Sequence, residues 1–591
     1  MNSRRRSHTT KSKMHRFAKL SCACGITCLA THLSTAKAQP IDTWTGGGGN
    51  SLWSNSANWS NGTPNDVYGE MFFGNSGVYI SNDDLGSFSE WSVYFNASSA
   101  YTLTDSGDQG INLFDYGGTQ SKIENDGSAP ATIDLPLAFS ASTGTPRGEI
   151  NAVGANLTFN NDIYVENTYV AGIQMYGNSG KTVTLNAPFN DNGHASYLEV
   201  NSGNTLIFNS INSYTGGTFI CGGSTLVFGQ FGTATGTTIY LGEDNGASGL
   251  SPTLSGTVSM TGNSQTISTP LVTVSGASSG ALNLTSSNVS GPTNIWSGNV
   301  TLNSGLTVSE ANVGATLNLG GTIGGNGGAL VFSGPGNVSL TGTNTYSGGT
   351  TINGGTLQAN TTGSANSATG SAGVAINSGG VLAGGTTSAA GQVGGTVNVA
   401  SGATITAGSG ASNTSSYGIL QTGTQTWNSG GSYAWKLNIA NTSYSTTSIN
   451  SVNSPGNSGN MDALLLSSLT NNASSGNPFT INIVTEGNNG LTAGKQYKFA
   501  IANAATGTFT AALSAFTINS SNFANSFTFS DVADSSLGSA ELNSGGGDDL
   551  VVTFDATPEP TSLLLGGLAI SPLMLVRRRK FAQVSVARQG L

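Results

Sequence analysis

The chain has 591 residues, of which 85 are Gly and only 19 Lys or Arg, 29 Asp or Glu and 4 His. Most cations sit at the two ends, so the body keeps Lys122, Arg147, Lys181, Lys436, Lys495 and Lys498, against all the acids except Asp555 and Glu559. Six scattered cations build no basic face for phosphate, which excludes nucleic-acid binding, and His194 as the body's single histidine excludes a His-rich metal centre.

Residues 1–38 read as a secretory signal, which implies the Sec translocon and signal peptidase as partners. A basic stretch ends at Lys19, and the apolar run 20–30 is too short to span a bilayer. The small-residue site Ala36-Lys37-Ala38 then precedes Gln39. Cys22, Cys24 and Cys28 would leave with this segment. Cys28 is the best lipidation candidate, although the residues before it fit a lipoprotein box poorly. The exported chain then keeps Cys221 alone and has no internal disulfide.

Residues 39–203 form an N-terminal β-rich region that opens on Trp44, Gly46 to Gly49, Trp53, Asn58-Trp59 and Gly62-Thr63-Pro64-Asn65. The expected role of this opening is to cap the first coil and shield its edge. The aromatics of the first hundred residues (Trp44, Trp53, Trp59, Tyr68, Phe72, Phe73, Trp91, Tyr94 and Phe95) could instead stack on sugar rings; core and cap packing is the favoured reading. Further on, short β-branched and aromatic runs such as 182–185, 205–208 and 329–332 alternate with Asn-Gly, Gly-Gly and Asn-Ser-Gly turns. The pattern predicts strands of four to six residues in an all-β body. Residues 461–469 are the nearest approach to a helical period, and they are few.

Residues 204–410 repeat. The clearest unit runs from Leu340 through Asn344, Tyr346, Gly348, Gly349, Thr350 and Gly355 to Leu357. A weaker copy carries Asn212, Tyr214, Gly216, Gly217, Thr218 and Leu226. The segments beginning at Val374 and Val397 are offset by 23 residues, about one coil of a parallel β-helix. Residues 328–360 resemble the autotransporter-associated β-strand repeat, and 204–229 do so more weakly. The resemblance implies a right-handed parallel β-helix on an exported surface protein. The chain's ending does not resemble the membrane barrel of an autotransporter.

Over 411–555 the coil pattern loosens into longer alternating strands, either last coils with larger insertions or a small sandwich. Residues 556–580 then place Pro558-Glu559-Pro560, an apolar run and Arg577-Arg578-Arg579-Lys580 in order, and a basic tail, 581–591, follows. This trio resembles the PEP-CTERM sorting signal of exopolysaccharide-producing Gram-negative bacteria. It implies an exosortase as processing partner, a short transmembrane helix held transiently in the inner membrane, and delivery to the cell surface or matrix.

The chemical motifs are weak. Gly276-Ala277-Ser278-Ser279-Gly280 has the form of a nucleophile elbow but lacks the following helix and a histidine partner. Asn82-Asp83-Asp84, Glu243-Asp244-Asn245 and the Gly545-Gly546-Gly547-Asp548-Asp549 turn offer oxygen ligands for weak calcium binding, with solvated turns as the default. Residues 311–410 hold no Asp, Glu, Lys, Arg or His, so acid–base chemistry would have to lie in 60–200, where no spacing singles out a pair. The expectation is a non-catalytic exported structural or adhesive protein, without cofactor or metal, associated with exopolysaccharide. The alternatives are a carbohydrate-binding protein using the N-terminal aromatics, and a β-helix lyase or glycosidase with its site in 60–200.

Overall fold

The computed structural model describes residues 41–555, apart from 65–68, 87, 108–109, 116–119, 143–146, 244–252, 362, 364–366, 412–415, 454–456, 458, 487–490, 493, 505–508, 511–512, 520–526 and 534–547. The signal segment with Ala36, Ala38 and Gln39 lies outside these residues. So does the C-terminal segment with Pro558, Glu559, Pro560, Arg577, Arg578 and Arg579. Among the described residues no helix is long and apolar enough to cross a membrane.

The chain winds as a three-faced parallel solenoid. Short strands, poor in charge and rich in Val, Ile, Leu and Thr, each pair with the strand one coil before and one coil after. The first face is a twelve-stranded sheet from Ile41–Trp44 to Ile323–Gly324, and it resumes at Gly391–Gln392. The second face is one ladder from Ile80–Asp83 to Phe509–Thr510. Its two end strands do not pair with each other, so it is an open stack and not a closed barrel. Seventeen strands on this ladder, each step close to 4.8 Å, give a stack of roughly 80 Å. Seven strands and then ten form the third face, from Phe88–Glu90 to Phe516–Asn519.

Register explains the core. On the second face one inward row runs from Leu157 through Val183, Leu206, Leu226, Val258, Leu284, Val308, Phe332, Ile352 and Ile376 to Val399, each paired with the next. All are buried, and a side chain of this kind contributes about 1.5–3 kcal/mol on leaving water. Val374 pairs with Val397, the predicted 23-residue offset. One hydrophobic cluster runs without a break from Trp44 to Val552.

The ladders pass residues 203 and 410 without interruption. Beyond 410 the coils lengthen: Leu420 pairs with Leu464 and Tyr433 with Ile481. This selects the first of the two readings, final coils carrying larger insertions. The stretch nearest to a helical period instead supplies the strands Ala463–Leu466 and Leu469–Asn471. Gln496–Ala504 is then closed by two antiparallel strands, Asp548–Asp555 and Phe527–Ala533.

At the other end of the described stack three tryptophans pack together over the first coil. Trp44, Trp53 and Trp59 are buried, and Trp59 meets Trp44 and Trp53 edge to face at 5.1 and 5.7 Å. Phe73, from the first full coil, packs against all three. Asn58 knots the loop: its amide nitrogen donates to the Asn50 and Leu52 carbonyls and its oxygen accepts from Gly48 N.

Candidate functional site

Two features carry the chemistry of this solenoid: the repeat units and one polar strip. In the repeat unit the side chains lock adjacent coils. Asn344 is buried, accepts from Ile323 N at 2.8 Å and donates to Ala368 O at 2.7 Å, so one amide bridges the coil below and the coil above. Asn212 does the same between Phe189 N and Thr233 O. Tyr346 and Tyr214 are fully buried, and each hydroxyl lies 2.6 Å from a threonine hydroxyl four residues on, Thr350 and Thr218. Burial pushes both phenols up. Gly348 has no room for a side chain, because a Cβ would sit 2.1 Å from Gly328 O. Gly355 turns the chain at φ 63°, and Leu357 then enters the core. Gly349 precedes the strand Thr350–Ile352. The repeat residues are thus a coil-to-coil fastening and leave no reactive group free.

The polar strip lies on the first face, within residues 60–200. Register places Glu70 beside Ser92, Ser92 beside Lys122, Lys122 beside Glu149, Glu149 beside Gln174 and Gln174 beside Glu199. A parallel row holds Phe72, Tyr94, Glu124 and Asn151. Phe72 and Tyr94 stack at 4.6 Å, and Lys122 Nζ sits 4.9 Å over the Tyr94 ring. Lys122 also reaches Glu124 at 3.4 Å. Asn151 donates to both Glu124 and Glu149 at 3.0 Å. Arg147 donates to Gln174 Oε1 at 2.7 Å, Gln174 donates to Glu199 at 2.8 Å, and the Tyr176 hydroxyl donates to Gln174. Gln174 and Glu199 are fully enclosed although they stand on an outer face.

Burial sets the electrostatics of the strip. It pushes the Glu70 carboxyl up, with Lys122 opposing. Burial and the neighbouring Glu124 push Asp126 up to about 6. Burial pulls the Lys122 ammonium down, but Glu124, Tyr94 and Glu149 together hold it above its ordinary value. The acids of this network are already held by amides and two cations. The strip leaves the Phe72–Tyr94 pair partly open to solvent, with Lys122 and Glu124 beside it.

This strip was missed by sequence reasoning. Its signal is the 25-residue spacing of Glu149, Gln174 and Glu199, which is one coil. Of the N-terminal aromatics, Trp44, Trp53, Trp59, Phe73 and Phe95 are core, Phe72, Trp91 and Tyr94 are half-buried, and Tyr68 lies outside the described residues. Ser278 sits on an exposed turn and is followed by the strand Leu282–Ser286. His194 lies in a loop with its Nε2 3.1 Å from Glu166 O. Asp83 is enclosed, and Asp84 accepts from the Ser54 backbone N–H at 2.8 Å and from its hydroxyl. Asp548 and Asp549 open the last strand, while Gly545 to Gly547 and Asp244-Asn245 lie outside the described residues. Among the described residues no group of three His, Cys, Asp or Glu converges as a metal site would.

Residues 198–228 and 330–359 match the passenger-associated transport repeat family. These are the two fastening units built on Asn212 and Asn344. The family implies an exported, surface-type protein. No curated protein matches the chain.

Proposed function

We propose that the chain is a non-catalytic exported protein, a stiff structural or adhesive rod at the cell surface or in an exopolysaccharide matrix. The carrying observation is the parallel ladder of the second face, which runs through residues 311–410 although that stretch holds no Asp, Glu, Lys, Arg or His, over a closed core. A rod of this kind serves through length and stiffness, since each coil contacts only its neighbours. The winding is taken as right-handed, the hand that strand twist favours in parallel crossovers. The repeat match supports export, and the Pro558-Glu559-Pro560, apolar and Arg577-Arg578-Arg579 order supports sorting by an exosortase after transient inner-membrane anchoring.

Deleting the exosortase in the producing cell tests the sorting. The full chain should then accumulate in the inner membrane, and unchanged delivery to the surface overturns that part. Incubating the purified chain with the producer's polysaccharide tests the absence of catalysis. New reducing ends or unsaturated products would sink it.

The strip on the first face favours a second reading, a polysaccharide-contact surface centred on Tyr94, Lys122, Glu124 and Arg147. Its test is co-sedimentation with the same polysaccharide. The Tyr94→Ala, Lys122→Ala double variant should bind several-fold more weakly, and equal binding removes the strip from the function.

A further inference from the structure

Lys436 and Asp462 form an enclosed pair at the point where the coils begin to lengthen. Lys436 lies on Ser432–Asn438, and Asp462 directly precedes Ala463–Leu466. Both side chains are 0% exposed, and Nζ is 3.5 Å from Oδ2. Nζ also donates to Ala407 O and, at 3.2 Å, to Gly410 O. Gly408 leaves the space for it, since a Cβ there would stand 2.8 Å from Nζ. On the acid side Oδ1 accepts from Gly418 N at 2.9 Å. Oδ2 accepts from Lys436 N at 3.3 Å and from the Thr406 hydroxyl at 3.5 Å.

An ion pair stripped of water pays a large desolvation penalty, and Trp435, Tyr433 and Leu437 are buried in the same strand. Burial drives the Asp462 carboxyl up, against the pull of Lys436, and the Lys436 amine down, against the pull of Asp462. Both shifts run toward the uncharged forms of the two groups and away from the ion pair. A neutral amine has two hydrogens and a lone pair. The carbonyls of Ala407 and Gly410 take two hydrogens, and the Asp462 carboxyl is the third polar group at Nζ. Gly418 N–H holds Oδ1 as the oxygen on which charge develops during attack.

We propose that Lys436 and Asp462 become joined by an amide bond in the folded chain. The neutral Nζ attacks Cγ of the protonated acid, so that the Nζ–Cγ bond forms and the Cγ–Oδ2 bond breaks. One Nζ proton leaves with Oδ2 and its hydrogen as water, and the Thr406 hydroxyl lies 3.5 Å from the departing Oδ2. Nothing is oxidised or reduced, and no second reagent enters. A desolvated lysine is the form of that side chain able to act as a nucleophile. The described residues hold one cysteine, buried Cys221, and no disulfide, so this bond would be a covalent staple across the first long insertion. It would restrain the unfolded chain by closing a loop.

The test is the mass of the full chain, denatured, together with labelling by an amine reagent after denaturation. The expected chain is lighter by one water than its unlinked form of the same termini. Lys436 should resist labelling, and chymotryptic digestion should release one branched peptide holding Lys436 and Asp462. In Lys436→Arg and Asp462→Ala the water loss should disappear. An unlinked mass with Lys436 labelled like the other lysines overturns the proposal, and the wild-type chain alone decides this even where a variant fails to fold.

Discussion

A single amide carries much of the repeat. Asn344 satisfies one N–H and one C=O that face each other across three coils, and no shorter side chain could reach both. Asn344→Ala leaves the Ile323 N–H and Ala368 C=O buried and unpaired, a loss of about 2–6 kcal/mol at 1–3 kcal/mol per group. Urea unfolding should show the midpoint falling with the slope retained. Tyr346→Phe removes one hydroxyl pair and should cost only about 1 kcal/mol. Equal effects from the two variants would give the Tyr346–Thr350 hydroxyl pair as large a share of the fastening as the amide.

Asp83 gives the pH dependence at the same scale. Burial pushes its carboxyl from 3.8 up to about 7, Leu85 N–H opposes this, and Asp105 and Asp84 add to it. The folded chain therefore binds that proton more tightly than the unfolded chain. Stability is full below the unfolded value and falls as pH rises from about 4 to about 7, then levels off. Asp83→Asn keeps an oxygen for the Leu85 N–H and should raise stability at pH 8 while changing nothing at pH 4. Thermal unfolding at the two pH values checks this, and a gain of the same size at both would contradict the assignment.

At the scale of elements, the ends and the close contacts are the vulnerable parts. Trp59 stands edge-on to both other cap tryptophans and covers Phe73. Trp59→Ala should cost about 3–5 kcal/mol locally and expose the edge of Ile41–Trp44 for pairing with other chains. Light scattering on the variant should then show self-association, and a monodisperse variant would mean that the edge is shielded by something other than the cap. Gly348→Ala presses a methyl group into the Gly328 carbonyl and should cost more than Gly349→Ala, where a Cβ meets nothing closer than 3.4 Å. The contrast between adjacent glycines reports which one the coil spacing requires.

For the whole molecule, a stack in which each coil contacts only its neighbours predicts graded stability. Hydrogen exchange should be slowest in central coils such as Val258–Met260's neighbours Leu282–Ser286 and Leu306–Glu310, and faster toward the tryptophan cap and the lengthened coils beyond 410. Uniform protection along the chain would instead indicate one cooperative unit.

Much of this architecture was legible locally. The fastening units, the 23-residue offset and the tryptophan cap could be read because each is a short pattern whose geometry fixes its own turn or ladder. The uncharged stretch 311–410 needed only composition. Tertiary structure alone decided which residues meet across coils of unequal length. Lys122 and Glu149 are 27 positions apart, Glu149 and Gln174 are 25, and Leu420 and Leu464 are 44, because loop length varies while register does not. The polar strip and the Lys436–Asp462 pair exist only through that register. Hydrogen bonding fixes where the next coil begins, and a linear pattern does not record how long the chain wandered before reaching it.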